Sequence, residues 1–334
     1  MKTIRWGIIG CGDVTEVKSG PGFQKAENSS LVAVMRRNGA LAEDYAKRHN
    51  VPKWYDDADK LINDPDVDAV YIATPPAYHK EYTLRTAKAG KPVYVEKPMA
   101  MNYMECREMV ECCRIEKVPL FTAYYRRGLE RFNKVRELVN AGAIGSVRFV
   151  TITQYQKPLK EETEGVKLPW RVVPEISGGG KFLDVASHTL DIMDYILGPV
   201  KEVCGMASNQ AGLYKAEDIV TASFMFSSGV QGAGTWCFSS FSNFEMNEIV
   251  GSLGKLAFST FGSEPVLLTT NEGTTEFPLQ NPVHIQQPLI QSIVNELNGS
   301  GRCPSTGESG VRTSWVMDEV LKGYRGFANN TIFT

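Results

Sequence analysis

The chain has 334 residues, too many for one ordinary hydrophobic core, and this length favours two domains of roughly 100 to 200 residues each. Its 36 Lys and Arg nearly balance 38 Asp and Glu, so no global field recruits nucleic acid or an anionic membrane surface. No apolar stretch reaches the ~20 residues of a membrane helix, and the opening MKTIRWGIIGCG is a strand pattern that breaks into glycines rather than a secretory signal, so a cytoplasmic protein is expected.

Along residues 1–123, short β-branched runs at 3–9, 31–35, 67–73, 91–96 and 118–124 alternate with longer segments of helical spacing such as 77–89 and 102–117. That cadence predicts parallel strands with crossover helices, a doubly wound sheet. The first run ends in GIIGCGDVTEV, where Gly10 suits a tight turn, Gly12 a close backbone approach to a pyrophosphate, and Asp13 and Val14 open a helix. Thr15 replaces the third glycine of that fingerprint. The second run ends in Arg36 and Arg37 instead of the acid that bonds a ribose 2′-hydroxyl, so NADP is the expected cofactor, with NAD as the other possibility. In such sheets ligands lie beyond the carboxyl ends of the strands. Thr74, Pro75 and His79 of ATPPAYH sit at one such end, and Glu96 and Lys97 of VYVEKPMA at the next.

After residue 145 the pattern changes. Alternating stretches at 147–156, 220–226 and 230–241 predict an antiparallel sheet, with helical segments at 181–197, 284–298 and 307–325. This second region, 124–334, is read as the substrate-binding and oligomerisation domain. Tyr124, Tyr125, Arg126 and Arg127 begin it, and Trp170 and Arg171 precede its first helix. Aromatic faces with forked donors suit a polyhydroxylated or acidic small molecule. In GGGKFLDVASHTLDIMDYILG, Phe182, Ala186, Leu190, Met193 and Leu197 make an apolar stripe. Beside it, Asp184, His188 and Asp191 share a polar face on which a carboxylate orients an imidazole for proton transfer. Gly178 to Gly180 let backbone pass closely under a ligand. In the sheet, Phe224 and Phe226 are assigned to one face, and Ser223, Met225, Trp236, Phe238 and Phe241 to the other. The helices cover one face only, so the open face predicts a dimer or tetramer. Seven cysteines without CxxC spacing predict reduced thiols and no metal site.

Together, GIIGCG, ATPPAYH, EKP at 96–98, GGGKFLDVASHTLD and CPSTGESGVRT at 303–313 resemble the glucose-fructose oxidoreductase, inositol dehydrogenase and MocA family, Gfo/Idh/MocA, along essentially the whole chain. The resemblance implies a Rossmann domain joined to an α/β domain with a large, open, mainly antiparallel sheet. It places Lys97, Asp184 and His188 at the nicotinamide and implies hydride transfer to or from a hydroxyl or carbonyl carbon of a sugar, keto sugar or polyol. In the expected roles His188 moves the proton, Asp184 orients it and holds a substrate hydroxyl, and Lys97 stabilises alkoxide charge; Lys97 as proton donor is the reverse assignment. Two other readings stand beside this one: a non-catalytic NADP-sensing protein, and a nucleotide-retaining glycoside hydrolase of the same family.

Overall fold

A computed structural model describes residues 1–165 and 167–329, so 330–334 of the expected second domain lie outside the described residues. The chain divides into two units, one formed by Met1–Leu129 with Pro282–Val311 and the other by Glu130–Asn281 with the chain from Arg312 onward. The expectation that everything beyond residue 123 lies in the second region is therefore corrected for 124–129 and for 282–311. There the helix Gln287–Leu297 buries Leu289, Ile290, Ile293 and Val294 within the first unit. Gly22 lies so near it that a Cβ would come 3.0 Å from Ile290. An amphipathic helix carries no mark of which sheet it covers, which is why its placement was not legible.

The first unit holds a six-stranded parallel sheet in the order β3-β2-β1-β4-β5-β6. Its strands are β1 (Ile4–Ile9), β2 (Ser29–Met35), β3 (Lys53–Tyr55), β4 (Ala69–Ile72), β5 (Val93–Val95) and β6 (Leu120–Thr122). β3 is an edge strand of sequence KWY, too short and polar for an apolar pattern to reveal. Alternation gives the sheet unlike faces. Val70, Ile72, Val93 and Val95 join an aliphatic layer with Leu61, Met99 and Met109. Between them, Tyr71 and Tyr94 are register partners in β4 and β5 and stack with centroids 4.8 Å apart, in contact with Phe23, which also meets Trp6.

The second unit holds an eight-stranded sheet in the order β14-β13-β12-β11-β7-β10-β9-β8. Its strands are β7 (Val147–Tyr155), β8 (Val200–Ser208), β9 (Ile219–Phe226), β10 (Gln231–Cys237), β11 (Phe244–Gly251), β12 (Gly254–Phe258), β13 (Val266–Thr270) and β14 (Gly273–Phe277). Only β7 with β10 pairs in parallel; the other neighbours are antiparallel. Phe224 and Phe226 are buried, and so are Trp236 and Phe238, which corrects the expectation that the latter two lie on the open face. The phase of β10 explains it. Trp236 stands opposite Val220, and the glycines two and four residues before it make room, because a Cβ at Gly234 would come 2.2 Å from the Trp236 ring and one at Gly232 2.1 Å from Phe224. The open face carries Phe149, Cys204, Met206 and Ser223.

The helix expected at 181–197 begins as a π-helical turn, Phe182–Ala186, and continues as the α-helix Ser187–Leu197. Phe182, Ala186, Leu190 and Met193 of its expected stripe are buried. Among the described residues no helix is long and apolar enough to cross a membrane, and the seven cysteines form no disulfide.

Candidate active site

The turn after β1 fits a dinucleotide. Gly10 has φ +91° and a Cβ there would lie 2.8 Å from Thr74 Cγ2, so only glycine closes this turn beside β4. At Gly12 nothing of the chain would approach a Cβ closer than 3.9 Å, which leaves bare backbone at the strand end, the kind of cradle a pyrophosphate fills. Asp13 and Val14 open a short helix, Asp13–Val17, as expected. Thr15 is buried and its Oγ1 donates to Gly12 O at 2.7 Å. The close packing that the fingerprint's third glycine provides falls instead to Gly20, where a Cβ would come 2.2 Å from Thr15 O and 2.3 Å from the Tyr45 hydroxyl. That glycine lies outside the motif spacing, and nothing in the sequence marks it.

Arg36 and Arg37 are exposed at the end of β2. Arg37 stacks over the Tyr78 ring at 4.9 Å, and the Arg36 charge opposes the burial that pushes the Cys11 thiol up to about 11. One charge is thus felt at the glycine turn and the other guanidinium is braced on an aromatic ring.

The strand end at Lys97 rests on a buried hydrogen-bond network. Glu96 is 6% exposed; its Oε1 accepts from Tyr71 Oη at 2.5 Å and Gln286 Nε2 at 2.6 Å, and its Oε2 accepts from the Lys97 N–H at 3.0 Å. Tyr94 Oη donates in turn to Gln286 Oε1 at 2.9 Å. Burial beside this carboxylate drives both phenols well above their ordinary pKa, so they remain donors. Glu96, expected to touch cofactor, instead fixes the backbone at Lys97. His79 is corrected likewise. It is fully buried, with Nε2 2.6 Å from Thr74 O and Nδ1 3.0 Å from Pro98 O, so it ties the loop after β4 to the loop after β5 and offers no surface to a ligand. Tyr125 and Arg126 are also buried, with the guanidinium 4.9 Å from the ring centroid, which removes the open face expected of them for substrate.

In the second unit Trp170, Arg171 and Asp184 come together. Arg171 lies 4.6 Å over the Trp170 ring, and its Nε meets Asp184 Oδ2 at 3.1 Å. Asp184 sits in the π-helical turn, a widening of the helix that often marks functional sites. His188 follows in the α-helix, 4% exposed, its ring edge-on to Phe261 with centroids 5.6 Å apart. Asp191, expected on the same functional face, is fully buried and accepts from Thr313 Oγ1 at 3.3 Å.

The glycine triplet serves the protein's own packing, not the approach of a ligand. A Cβ at Gly180 would come 2.7 Å from Glu217 O, and one at Gly179 2.8 Å from Leu183. Glu217 accepts from the Gly180 N–H at 2.9 Å, while Lys181 bridges the buried Glu162 at 2.7 Å. Desolvation outweighs that backbone donor and the nearby Arg325, and pushes the Glu217 carboxyl up to about 7. Neither Glu162 nor Glu217 lies in a motif, so neither was foreseen.

Residues 4–124 match the oxidoreductase family with an NAD-binding Rossmann fold, and residues 132–257 match the GFO/IDH/MocA C-terminal domain. The chain is 39% identical over 315 residues to Oxidoreductase P35 of Formosa agariphila, covering 94% of this chain and 97% of that one. It is 30% identical over 320 residues to 1,5-anhydro-D-fructose reductase of Ensifer adhaerens, covering 92% of each. A levoglucosan dehydrogenase in complex with NADH and levoglucosan shares the fold, with a TM-score of 0.84 at 20% identity over 97% of each chain. The glycine turn, the EKP strand end and the D-x-x-x-H helix stand where these matches run, and the chain belongs to the Gfo/Idh/MocA family of oxidoreductases.

Proposed function

We propose that the protein is a dehydrogenase or reductase that exchanges a hydride between NADP and a hydroxyl or carbonyl carbon of a sugar, keto sugar or polyol. What carries the reading is that each polar group assigned to the chemistry is anchored by its own unit. Lys97 follows a residue fixed by Tyr71 and Gln286, and the Asp184 carboxylate is held by Arg171 ahead of His188. A relative named for an anhydro sugar and a neighbour holding levoglucosan support the substrate class.

The nicotinamide, when bound, supplies or accepts the hydride. Around it His188 takes the hydroxyl proton in oxidation or returns it in reduction, Asp184 orients a substrate hydroxyl, and Lys97 stabilises negative charge on the reacting oxygen. Gly10 and Gly12 cradle the pyrophosphate, and Arg36 with Arg37 binds the 2′-phosphate. NADP is thereby preferred over NAD by roughly tenfold to a few hundredfold. Consumption of NADPH with a panel of keto sugars and polyols tests the activity. Silence across that panel despite tight nucleotide binding favours the sensor, and product formed without net cofactor turnover favours the hydrolase. Titration of both nucleotides tests the preference, which Arg36→Asp should invert; equal binding by the parent protein would remove the phosphate role.

The proposal includes self-association. Phe149, 43% exposed, borders a cleft of about 620 Å³ on the open sheet face, which also carries Met206, 77% exposed, and a second copy covering them gives a two-fold dimer. Light scattering should then give at least twice the chain's 37.0 kDa, and a monomer would refute it.

A further inference from the structure

A second cleft of the second unit, about 640 Å³, borders the catalytic helix through Phe261. That volume falls within the roughly 300 to 1,000 Å³ typical of small-molecule sites. Its walls are mixed. Tyr155 and Phe244, register partners in β7 and β11, present rings 5.8 Å apart, and Gln154, Asn243 and Lys157 add amide and ammonium groups. Phe261 is 42% exposed and Phe244 49%, so each keeps an open face as well as a packed one.

The turn that carries Phe261 is built to hold it. The Glu245 carboxylate accepts from Ser259 Oγ at 2.8 Å, Thr260 N at 2.5 Å and Phe261 N at 3.1 Å. Asn247 donates to Thr260 Oγ1 at 3.0 Å, and Thr260 Oγ1 lies 3.0 Å from Thr189 Oγ1, one residue beyond His188. Arg131 closes the far side by donating to Gly262 O and, at 2.9 Å, to Glu264 O. Three donors on one carboxylate lock a partly exposed aromatic ring against the imidazole.

We propose that this cleft is a subsite for the part of the substrate away from the reacting carbon, and that it selects sugars carrying a second ring. Aromatic faces bury the apolar faces of such rings, and amides and an ammonium bond their paired hydroxyls, a combination that suits a polyhydroxylated ring better than a purely apolar ligand. Phe261 is the specificity-determining residue at the border between the two ends. The proposal rests on the sugar-oxidoreductase reading above.

The test compares one-ring and two-ring sugars in kcat and KM, together with calorimetric binding of both sugars in the presence of NADPH. The parent protein should bind the two-ring sugar about tenfold more tightly or better. Phe261→Ala and Phe244→Ala should each lower the two-ring to one-ring ratio of kcat/KM about tenfold, mostly through KM, and Phe261→Tyr should restore it. Equal affinity for both sugars, or a fall in kcat that is the same for both, would overturn the subsite while leaving the hydride reading intact. Selective two-ring binding without any turnover would uphold the subsite and refute that reading. Loss of self-association in Phe244→Ala, with sugar binding unchanged, would show that a second copy fills the cleft and would overturn the proposal.

Discussion

At Lys97 the chain fixes the backbone with neutral donors gathered round one carboxylate, whereas ahead of Asp184 it uses charges. Tyr71, Gln286 and the Lys97 N–H all point at Glu96, and Tyr94 points at Gln286. In the second unit Lys181 pairs with buried Glu162, Arg171 with Asp184, Arg325 with Asp318, and Glu217 lies buried against Gly180. The two phenols, held well above their ordinary pKa, and the amide keep their protons over the ordinary pH range, so the donors of this support do not change with pH. A buried carboxyl that titrates near 7 makes the other support depend on pH in the working range. The lesson is that two ends of one proposed reaction are stiffened by means with different weaknesses.

The largest expected effect breaks the proposed chemistry that both supports would serve. Lys97→Met and His188→Ala should each reduce turnover by about 10² to 10⁴-fold while NADP affinity stays nearly unchanged, because neither variant touches the glycine turn or Arg36. Steady-state rates and nucleotide titration check it, and near-normal turnover in both variants would refute their roles. The pH profile sharpens the comparison further, since an essential group on the second unit should respond when Glu217 titrates.

Next in size is Glu217 itself. Its carboxyl is pushed up to about 7 when folded, against about 4.3 in an unfolded chain, so the folded state binds more protons between those values. Stability is therefore fully present below about pH 4.3 and falls as pH rises through 7, by about 3 to 4 kcal/mol in all. Glu217→Gln keeps an acceptor for Gly180 and should abolish that fall, so urea midpoints of variant and parent should agree at pH 5 and diverge at pH 8, with the variant more stable. The first unit behaves oppositely. Glu16, held at about 2 by the Arg48 guanidinium and by His49, contributes stability above its unfolded value and loses it only in acid. A parent protein whose stability rises between pH 5 and 8 would contradict this assignment.

The same contrast explains what the sequence disclosed. Lys97, Asp184 and His188 stand in short patterns whose spacing already implies a strand end or a helix face, so their places in the fold were legible, as was the alternation of strands and helices in 1–123. Their supports were not. Gln286 lies 190 residues from Glu96, and Glu217 lies 37 from Gly180; each is a common polar residue with no periodicity to mark it. His79 misled because a histidine after a strand reads alike whether its ring faces a ligand or two backbone carbonyls. Trp236 misled because one unit of phase moves a strand residue to the opposite face, and only the cross-strand partner Val220 settles it. Phe261 had no signal at all, since its contact with His188 depends on the turn that Glu245 holds.

The smallest effects belong to the neutral network, and they decide whether it is a network or a set of separate bonds. Gln286→Leu removes the Nε2 donor from buried Glu96 and the acceptor from Tyr94, so a carboxylate oxygen and a phenol each lose one partner. Leaving such buried groups short of a bond costs about 1 to 3 kcal/mol, whereas Tyr94→Phe takes away the hydroxyl itself and should cost only about 1 kcal/mol. The Tyr94→Phe loss should be the same at pH 6 and pH 8, because the phenol, held well above its ordinary pKa, and the amide it meets keep their protons there. If the contacts act together, the double variant should cost no more than Gln286→Leu alone, since the Tyr94 hydroxyl that would be stranded is already gone. Denaturation of the four proteins at two pH values supplies the cycle. Additive losses would mean that Tyr94 and Gln286 contribute separately, and a pH-dependent loss in Tyr94→Phe would erase the contrast with the charged support in the second unit.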